Sequence, residues 1–248
     1  MNSECPIQRN INLLKDKDPK VRRAAAEALG GMMTSRAVQP LSELLDVEQD
    51  VHVRRAIVLS LSLLSNSDSL PTLLAILEKD PDLETKRNIA GGLRFFSNKI
   101  DPMQIISLIL KETNKPIRDV LVGTFIYIHD NSLLSKLIGL FYEMDDLEIK
   151  ECLLEIIGSF DDDLSKELLV EYTSLDYPKE LRMIAVRSMG KLDDVHLIPD
   201  IYEVYHNDID FEIKETAEKI LNELTVLLGY ISIDQMVLVY LKQREDLQ

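Results

Sequence analysis

One register runs through the whole chain. Stepping by 32 from Val21 gives Val21, Val53, Thr85, Ile117, Ile149, Leu181 and Ile213, six of seven aliphatic. The next column reads Arg22, Arg54, Lys86, Arg118, Lys150, Arg182 and Lys214. All seven are basic, although Lys and Arg together fill only 28 of 248 positions, so the column is not chance. Three residues before the Val column stand Asp18, Asp50, Asp82, Asn114, Asp146, Pro178 and Asp210. No insertion interrupts the phase. A strict period of this length, sought before any other signal, means a stack of repeated units.

Within each unit the apolar spacing is helical. Val21, Ala24, Ala25, Ala28 and Leu29 follow i, i+3, i+4, i+7, i+8, which is one face of an α-helix. The same face recurs as Ile117, Val120, Leu121, Thr124, Phe125 and as Ile149, Cys152, Leu153, Ile156, Ile157. A first helix precedes each of these second helices. Its core columns are Leu41, Leu73, Ile105, Leu137, Leu169, Ile201 and Leu45, Leu77, Ile109, Phe141, Thr173, Tyr205. Asp18, Asp50 and Asp146 are placed to cap the second helices, and Pro19 suits a first turn. Asp101-Pro102 repeats the signature before a first helix.

The predicted fold is therefore all-α: an α-solenoid, a superhelical stack of seven helical hairpins plus a C-terminal capping helix. One hairpin cannot bury its apolar face alone, whereas stacked hairpins share a continuous core. Residues 1–248 read as a single repeat domain. Arg9 and Asn12 put polar groups into columns that are apolar later (Leu41, Leu44), as an end unit should. Ile233, Met236, Val237 and Tyr240 continue the first-helix pattern into a final helix at about 231–245, read as the cap. Glycine and proline total only 18, too few for a sandwich or barrel of short strands and turns.

Charge narrows the function. The net charge is −15, which disfavours a general phosphate-binding surface, so nucleic acid is an unlikely ligand. The charge is unevenly spread: residues 1–100 hold 14 Lys/Arg and 13 Asp/Glu, residues 101–248 hold 14 and 30. Cys5 and Cys152 are too few and too distant for a disulfide framework or a zinc site. Without a basic-then-apolar leader or an uninterrupted apolar span, the expectation is a cytoplasmic protein with no membrane segment.

The segment Asp18–Gly30, with Asp18, Pro19, Val21, Arg22, Ala24, Ala25, Leu29 and Gly30 as D-P-x-V-R-x-A-A-x-x-x-L-G, resembles the HEAT repeat. The likeness is to the short HEAT-like variety named after the phycobilisome lyases, and the in-phase units extend it over essentially the whole chain. Asp119, Glu151 and Glu215 replace the motif's second Arg, and Pro178 replaces a capping Asp. The resemblance implies fold more than activity, since such repeats serve scaffolds, adaptors, chromophore lyases and some enzymes. It also implies that the second helices line a concave surface, and that the basic column links neighbouring repeats in a ladder. By sequence spacing, Asp18 and Asp50 are the helical neighbours of Arg22 and Arg54.

One column beyond the ladder, Arg23, Arg55, Arg87, Asp119, Glu151, Met183 and Glu215 point away from the core. This column turns from basic to mostly acidic midway. Arg94 joins its basic end and Glu155 its acidic end. Leu59, Ile126 and the glycines Gly30, Gly91, Gly123, Gly158 and Gly190 fall on the same stripe. A helical glycine costs about 1 kcal/mol against alanine, so something approaches closely there; crowding between neighbouring helices is the favoured cause. The candidate protein-binding residues are Arg23, Arg55, Arg87, Arg94, Asp119, Glu151 and Glu215.

No catalytic, metal or cofactor constellation is apparent. His52, His129, His196 and His206 form no metal motif, and His129 beside Asp130 reads as a helix-end cap. Asp161-Asp162-Asp163 reads as a solvated turn and Cys152 as a buried, inert thiol. The leading expectation is a non-catalytic scaffold or adaptor holding a protein partner on the concave face. The alternatives are a bilin lyase-type or other chromophore-handling subunit, by resemblance only, and nucleic-acid binding through Arg23, Arg55 and Arg87 alone.

Overall fold

The computed structural model describes residues 5–128 and 130–246. It realises the 32-residue register as fifteen α-helices, with no strand among the described residues. The architecture is an all-α solenoid. The chain clusters into two compact units, Met1–His129 and Asp130–Gln248.

The first unit holds four hairpins: α1 (Pro6–Leu13) with α2 (Pro19–Gly31), α3 (Val38–Val47) with α4 (Val51–Leu64), α5 (Leu70–Lys79) with α6 (Leu83–Gly92), and α7 (Pro102–Lys111) with α8 (Lys115–Ile128). The second unit holds α9 (Leu134–Glu143) with α10 (Leu147–Ile157), α11 (Asp163–Glu171) with α12 (Lys179–Lys191), and α13 (Ile198–Asn207) with α14 (Phe211–Leu227). A last helix, α15 (Ile233–Asp246), covers α13 and α14 with Met236 and Val237 fully buried. In both units each second helix packs against the next: α2 on α4, α4 on α6, α6 on α8, then α10 on α12 and α12 on α14.

The caps form where the sequence places them. Asp18, Asp50, Asp82, Asp146 and Asp210 each accept a backbone N–H of the first turn they precede, whereas Pro178 offers no side-chain cap. Asp101 caps α7 in the same way. Asp130 caps a short turn through Ser132 N–H, while His129 lies outside the described residues. Of the Asp161–Asp163 run, Asp161 and Asp162 lie in the turn, with Asp162 capping α11 and Asp161 pairing with Lys166 at 2.6 Å, while Asp163 opens the helix. Helix α1 buries no side chain, consistent with Arg9 and Asn12 in its core columns.

Burial corrects the predicted second-helix face in two respects. Ala24 is exposed and Val120 half-buried. Conversely, in the column five residues beyond Val21, the first six members, Ala26, Val58, Ala90, Val122, Leu154 and Val186, are buried, and only Glu218 of the last hairpin is exposed. A second helix flanked by second helices, and backed by its own first helix, buries far more than one amphipathic stripe. The inner second helices keep a narrower band in water than α14, which has a second-helix neighbour on one side alone.

The basic column is structural, but its partners are not the carboxylates four residues before. Arg22 forks onto Glu48 at 2.7 and 2.8 Å, Arg54 pairs with Asp80, Lys86 with Glu112 at 2.9 Å, and Arg182 with Asp208 at 2.9 and 3.1 Å. Each acid lies 26 residues on, in the C-cap position of the next hairpin's first helix. One oxygen of each carboxylate also accepts the backbone N–H two residues further along, fixing the turn into the next second helix. Arg22, Arg54 and Arg182 also donate to carbonyls of their own inter-helix turn. One guanidinium thus ties two hairpins and both of their turns, while Asp18 and Asp50 are left to cap.

Most of the glycines follow the same logic. A Cβ on Gly30 would meet Ser60 Oγ at 2.6 Å, on Gly158 the Ser188 Cβ at 2.5 Å, and on Gly190 the Ile220 Cδ1 at 2.6 Å. Close approach also lets Ser60 Oγ donate to the Ala26 carbonyl and Thr124 Oγ1 to that of Ala90, both at 2.9 Å. Gly30 and Gly158 are accordingly buried rather than on the solvent stripe.

Candidate functional site

The solvent-facing band of the second helices carries the residues singled out above, but they are not equivalent. Arg23 is exposed and held by Glu27 at 2.8 Å within its own helix. Arg55 grips Asp82 bidentately, at 2.8 and 2.7 Å. Asp82 is the α6 cap, and the guanidinium holds its carboxyl well below the ordinary carboxylate range, aided by the Thr85 hydroxyl and N–H. Arg55 therefore belongs to the inter-hairpin framework. Arg87 is exposed, with Glu84 no nearer than 3.9 Å. Arg94 lies over the Phe95 ring at 5.0 Å, with no carboxylate partner among the described residues. On the acidic side Asp119 and Glu215 are exposed and Glu151 is half-buried. Met183, expected on the solvent stripe, is buried and accepts from Thr216 Oγ1 at 3.6 Å.

Arg87 and Arg94 line a common groove. It is lined from α4, from α6 with the 3-10 turn Leu93–Phe96 that follows it, and from α8, has a volume of about 590 Å3, and includes the small residues Ser62, Gly91 and Gly92. Its apolar walls come from Leu59, Leu63, Phe95 and Val120. Leu59, Leu63 and Phe95 are 49, 47 and 43% exposed, unusually high for large apolar side chains clustered together. Tyr127, one repeat beyond Phe95, is still more exposed. Over Gly123, one repeat beyond Gly91, a Cβ would find nothing within 4 Å. Of the seven candidates, Arg87 and Arg94 line this groove, and Arg23, Arg55, Asp119, Glu151 and Glu215 are not among its lining residues.

Sequence reasoning found Leu59 but missed the column Leu63, Phe95, Tyr127. The signal was present. That column lies four residues beyond the Leu59 column and eight beyond the Arg column, on one helix face. Stepping on by 32 into the second unit replaces it with Ser159, Lys191 and Glu223, and the Leu59 column becomes Glu155, Arg187 and Lys219. There Lys191 meets Glu155 at 3.5 Å. From Leu59 to Tyr127 the band carries apolar, aromatic and glycine residues, after Glu27 and Gly31 in the first hairpin, whereas in the second unit it is polar or charged.

Residues 7–94 match the family model for HEAT repeats. That stretch consists of HEAT repeats. The resemblance read from Asp18–Gly30 holds over this span, which contains α1 to α6 and therefore two of the groove's three helices. No curated protein matches the chain. Among solved structures, the complex of CpcE and CpcF of phycocyanin lyase from Nostoc sp. PCC7120 is 19% identical. The alignment covers 100% of this chain and 96% of that one, with a TM-score of 0.47. Human deoxyhypusine hydroxylase in complex with glycerol is 14% identical over 88% of this chain and 84% of that one, TM-score 0.39. An engineered protein is 16% identical over 94% and 71% respectively, TM-score 0.42.

Among the described residues no group of three or more His, Cys, Asp or Glu is arranged to hold a metal ion, and no helix is long and apolar enough to cross a membrane. Cys152 is buried and Cys5 exposed.

Proposed function

We propose that the chain is a non-catalytic, cytoplasmic adaptor that holds a protein partner on the second-helix face of its first unit. The observation that carries this reading is the contrast along one band. Leu59, Leu63, Phe95 and Tyr127 stand in water where the equivalent positions of the second unit are polar or charged. Exposed apolar groups rimmed by charge mark interaction surfaces. Arg87 and Arg94 add cations that the fold does not use, and residues 130–248, with 11 Lys/Arg against 27 Asp/Glu, keep anionic partners away from the other half. The binding region proposed from sequence, Arg23 through Glu215, thereby contracts to its middle.

The test is affinity capture from the native lysate with three proteins: wild type, Leu59→Glu with Phe95→Glu, and Glu155→Lys with Lys191→Glu. The reading requires a partner held by the first and third and lost from the second, with unchanged circular dichroism. A partner lost only from the third variant moves the site to the second unit. A purified protein that is coloured would favour the chromophore-handling alternative.

We also read 1–248 as one repeat domain, because the 32-residue register crosses residue 129 without insertion. A single calorimetric transition supports this, and two separated transitions contradict it.

A further inference from the structure

The groove also carries information about what fills it. It is lined by residues of α4, α6, the 3-10 turn Leu93–Phe96 that follows α6, and α8, all helical segments whose backbone bonds are made within the chain. An extended segment laid there would meet no free backbone edge and only scattered side-chain partners such as Asn88 and Ser62. A helix satisfies its own backbone and presents only side chains.

Two glycines set the spacing. Unlike Gly30, Gly158 and Gly190, neither Gly91 nor Gly123 is forced by a neighbouring helix: a Cβ on Gly91 would make an ordinary 3.5 Å contact with Val120, and one on Gly123 none. They sit one repeat apart on adjacent second helices, α6 and α8. Adjacent packed helices lie about 8–10 Å apart, which is close to the ~10.5 Å between residues i and i+7 of a helix. Leu59, Leu63 and Phe95 line the groove together with Gly91, and the exposed Tyr127 stands with Gly123 on α8, one repeat further along the same band.

The charges at the rim are available. Arg94 has no carboxylate partner among the described residues, and Arg87 faces Glu84 only at 3.9 Å across an exposed i, i+3 pair. Such pairs are worth only a few tenths of a kcal/mol, so Arg87 can exchange Glu84 for a ligand's carboxylate readily.

We infer that the groove receives one amphipathic α-helix of a partner protein. Apolar side chains seven residues apart seat over Gly91 and Gly123, and flanking Asp or Glu side chains pair with Arg87 and Arg94. The inference rests on the adaptor reading above and specifies its ligand.

The experiment selects a displayed library of random peptides against the full-length chain, then measures binding of the recovered peptides by fluorescence anisotropy. The expected peptides are acidic, helical when bound, and apolar at i and i+7. Gly123→Leu, and separately Arg87→Glu with Arg94→Glu, should each weaken them about tenfold or more. Glu155→Lys with Lys191→Glu should change nothing. Gly123→Leu replaces an exposed helical glycine, so its melting temperature should not fall, which separates a blocked groove from a damaged fold.

Basic or extended peptides, or acidic helices bound equally by Gly123→Leu, would overturn the inference. So would recovery of no peptide while the native partner is still captured through Leu59 and Phe95, and in that case the adaptor reading stands alone. Self-association abolished by Arg94→Glu would assign the groove to a second copy and overturn it as well. Failure of both peptide selection and partner capture would remove both proposals.

Discussion

Arg182 holds Asp208 through two hydrogen bonds, Nε to Oδ2 at 2.9 Å and Nη2 to Oδ1 at 3.1 Å, with the two side chains only 6 and 1% exposed. The residues are 26 positions apart and belong to successive hairpins. Removing one partner strands the other charge in a dry site, which typically costs about 3–5 kcal/mol. Arg182→Met should therefore lower unfolding stability by about that amount in urea titration. Arg23→Met breaks only an exposed i, i+4 pair and should cost under ~0.5 kcal/mol. Replacing Arg182 and Asp208 together with apolar residues should recover much of the loss, because no unpaired charge then remains.

Arg55 should behave as part of the framework rather than of the binding surface. Its bidentate grip on Asp82 supports the α6 cap. Arg55→Glu places two carboxylates together there and should lower the thermal midpoint clearly. Arg87→Glu with Arg94→Glu should leave it nearly unchanged, because neither arginine has a close carboxylate. Side-by-side thermal melts check this. A charge-reversal experiment that includes Arg55 would confuse unfolding with lost binding.

The glycines predict opposite signs for one chemical change. Gly30→Ala drives a Cβ to 2.6 Å from Ser60 Oγ and 3.0 Å from the Ser60 Cα, which the packed pair can relieve only by moving the helices apart. Stability should fall despite alanine's better helix propensity. Gly123→Ala meets nothing and should raise stability by up to about 1 kcal/mol, the ordinary propensity difference. Denaturant midpoints of the two single variants provide the comparison.

Acid should loosen the ladder. Burial by itself raises the carboxyls of Glu48 and Glu112. Hydrogen bonds from Arg22 and Lys86 respectively, together with backbone N–H donors, outweigh burial and leave both groups below the ordinary range. A carboxylate depressed in the folded state contributes its full stability above its unfolded pKa, and that contribution is lost as pH falls through the folded value. Urea midpoints should thus hold from neutrality to about pH 5 and decline below about pH 4, where carboxylates of this kind begin to protonate. Glu48→Gln should show a shallower decline, starting from lower stability at pH 7.

Much of this was legible in the sequence because repetition averages out local noise. Six of the seven Val-column residues and all of the Leu41 column are fully buried, and the Asp caps sit in phase with them. The ladder was visible as a basic column. Its partners were not, since Glu48 and Asp208 are far from Arg22 and Arg182 in sequence, and their proximity follows only from stacking. The width of the buried face was underestimated for the same reason: Ala26 and Val58 are covered by neighbouring second helices, not by their own hairpin. The groove was half visible. Arg87, Arg94 and Leu59 were on the correct stripe, but one more column, Leu63, Phe95 and Tyr127, was needed to distinguish an apolar patch from a solvated charged face. The Arg55–Asp82 pair joins residues 27 apart and follows only from stacking, whereas Arg23–Glu27 is an i, i+4 pair that the spacing already allowed.

The most direct measurement is hydroxyl-radical footprinting of the full chain, free and bound to its captured partner. The adaptor account predicts protection of Leu63, Phe95 and Tyr127, with no change at Phe211, which is more open to solvent than any of the three but lies in the second unit. Protection at Phe211 with Phe95 and Tyr127 still fully reactive would contradict the account.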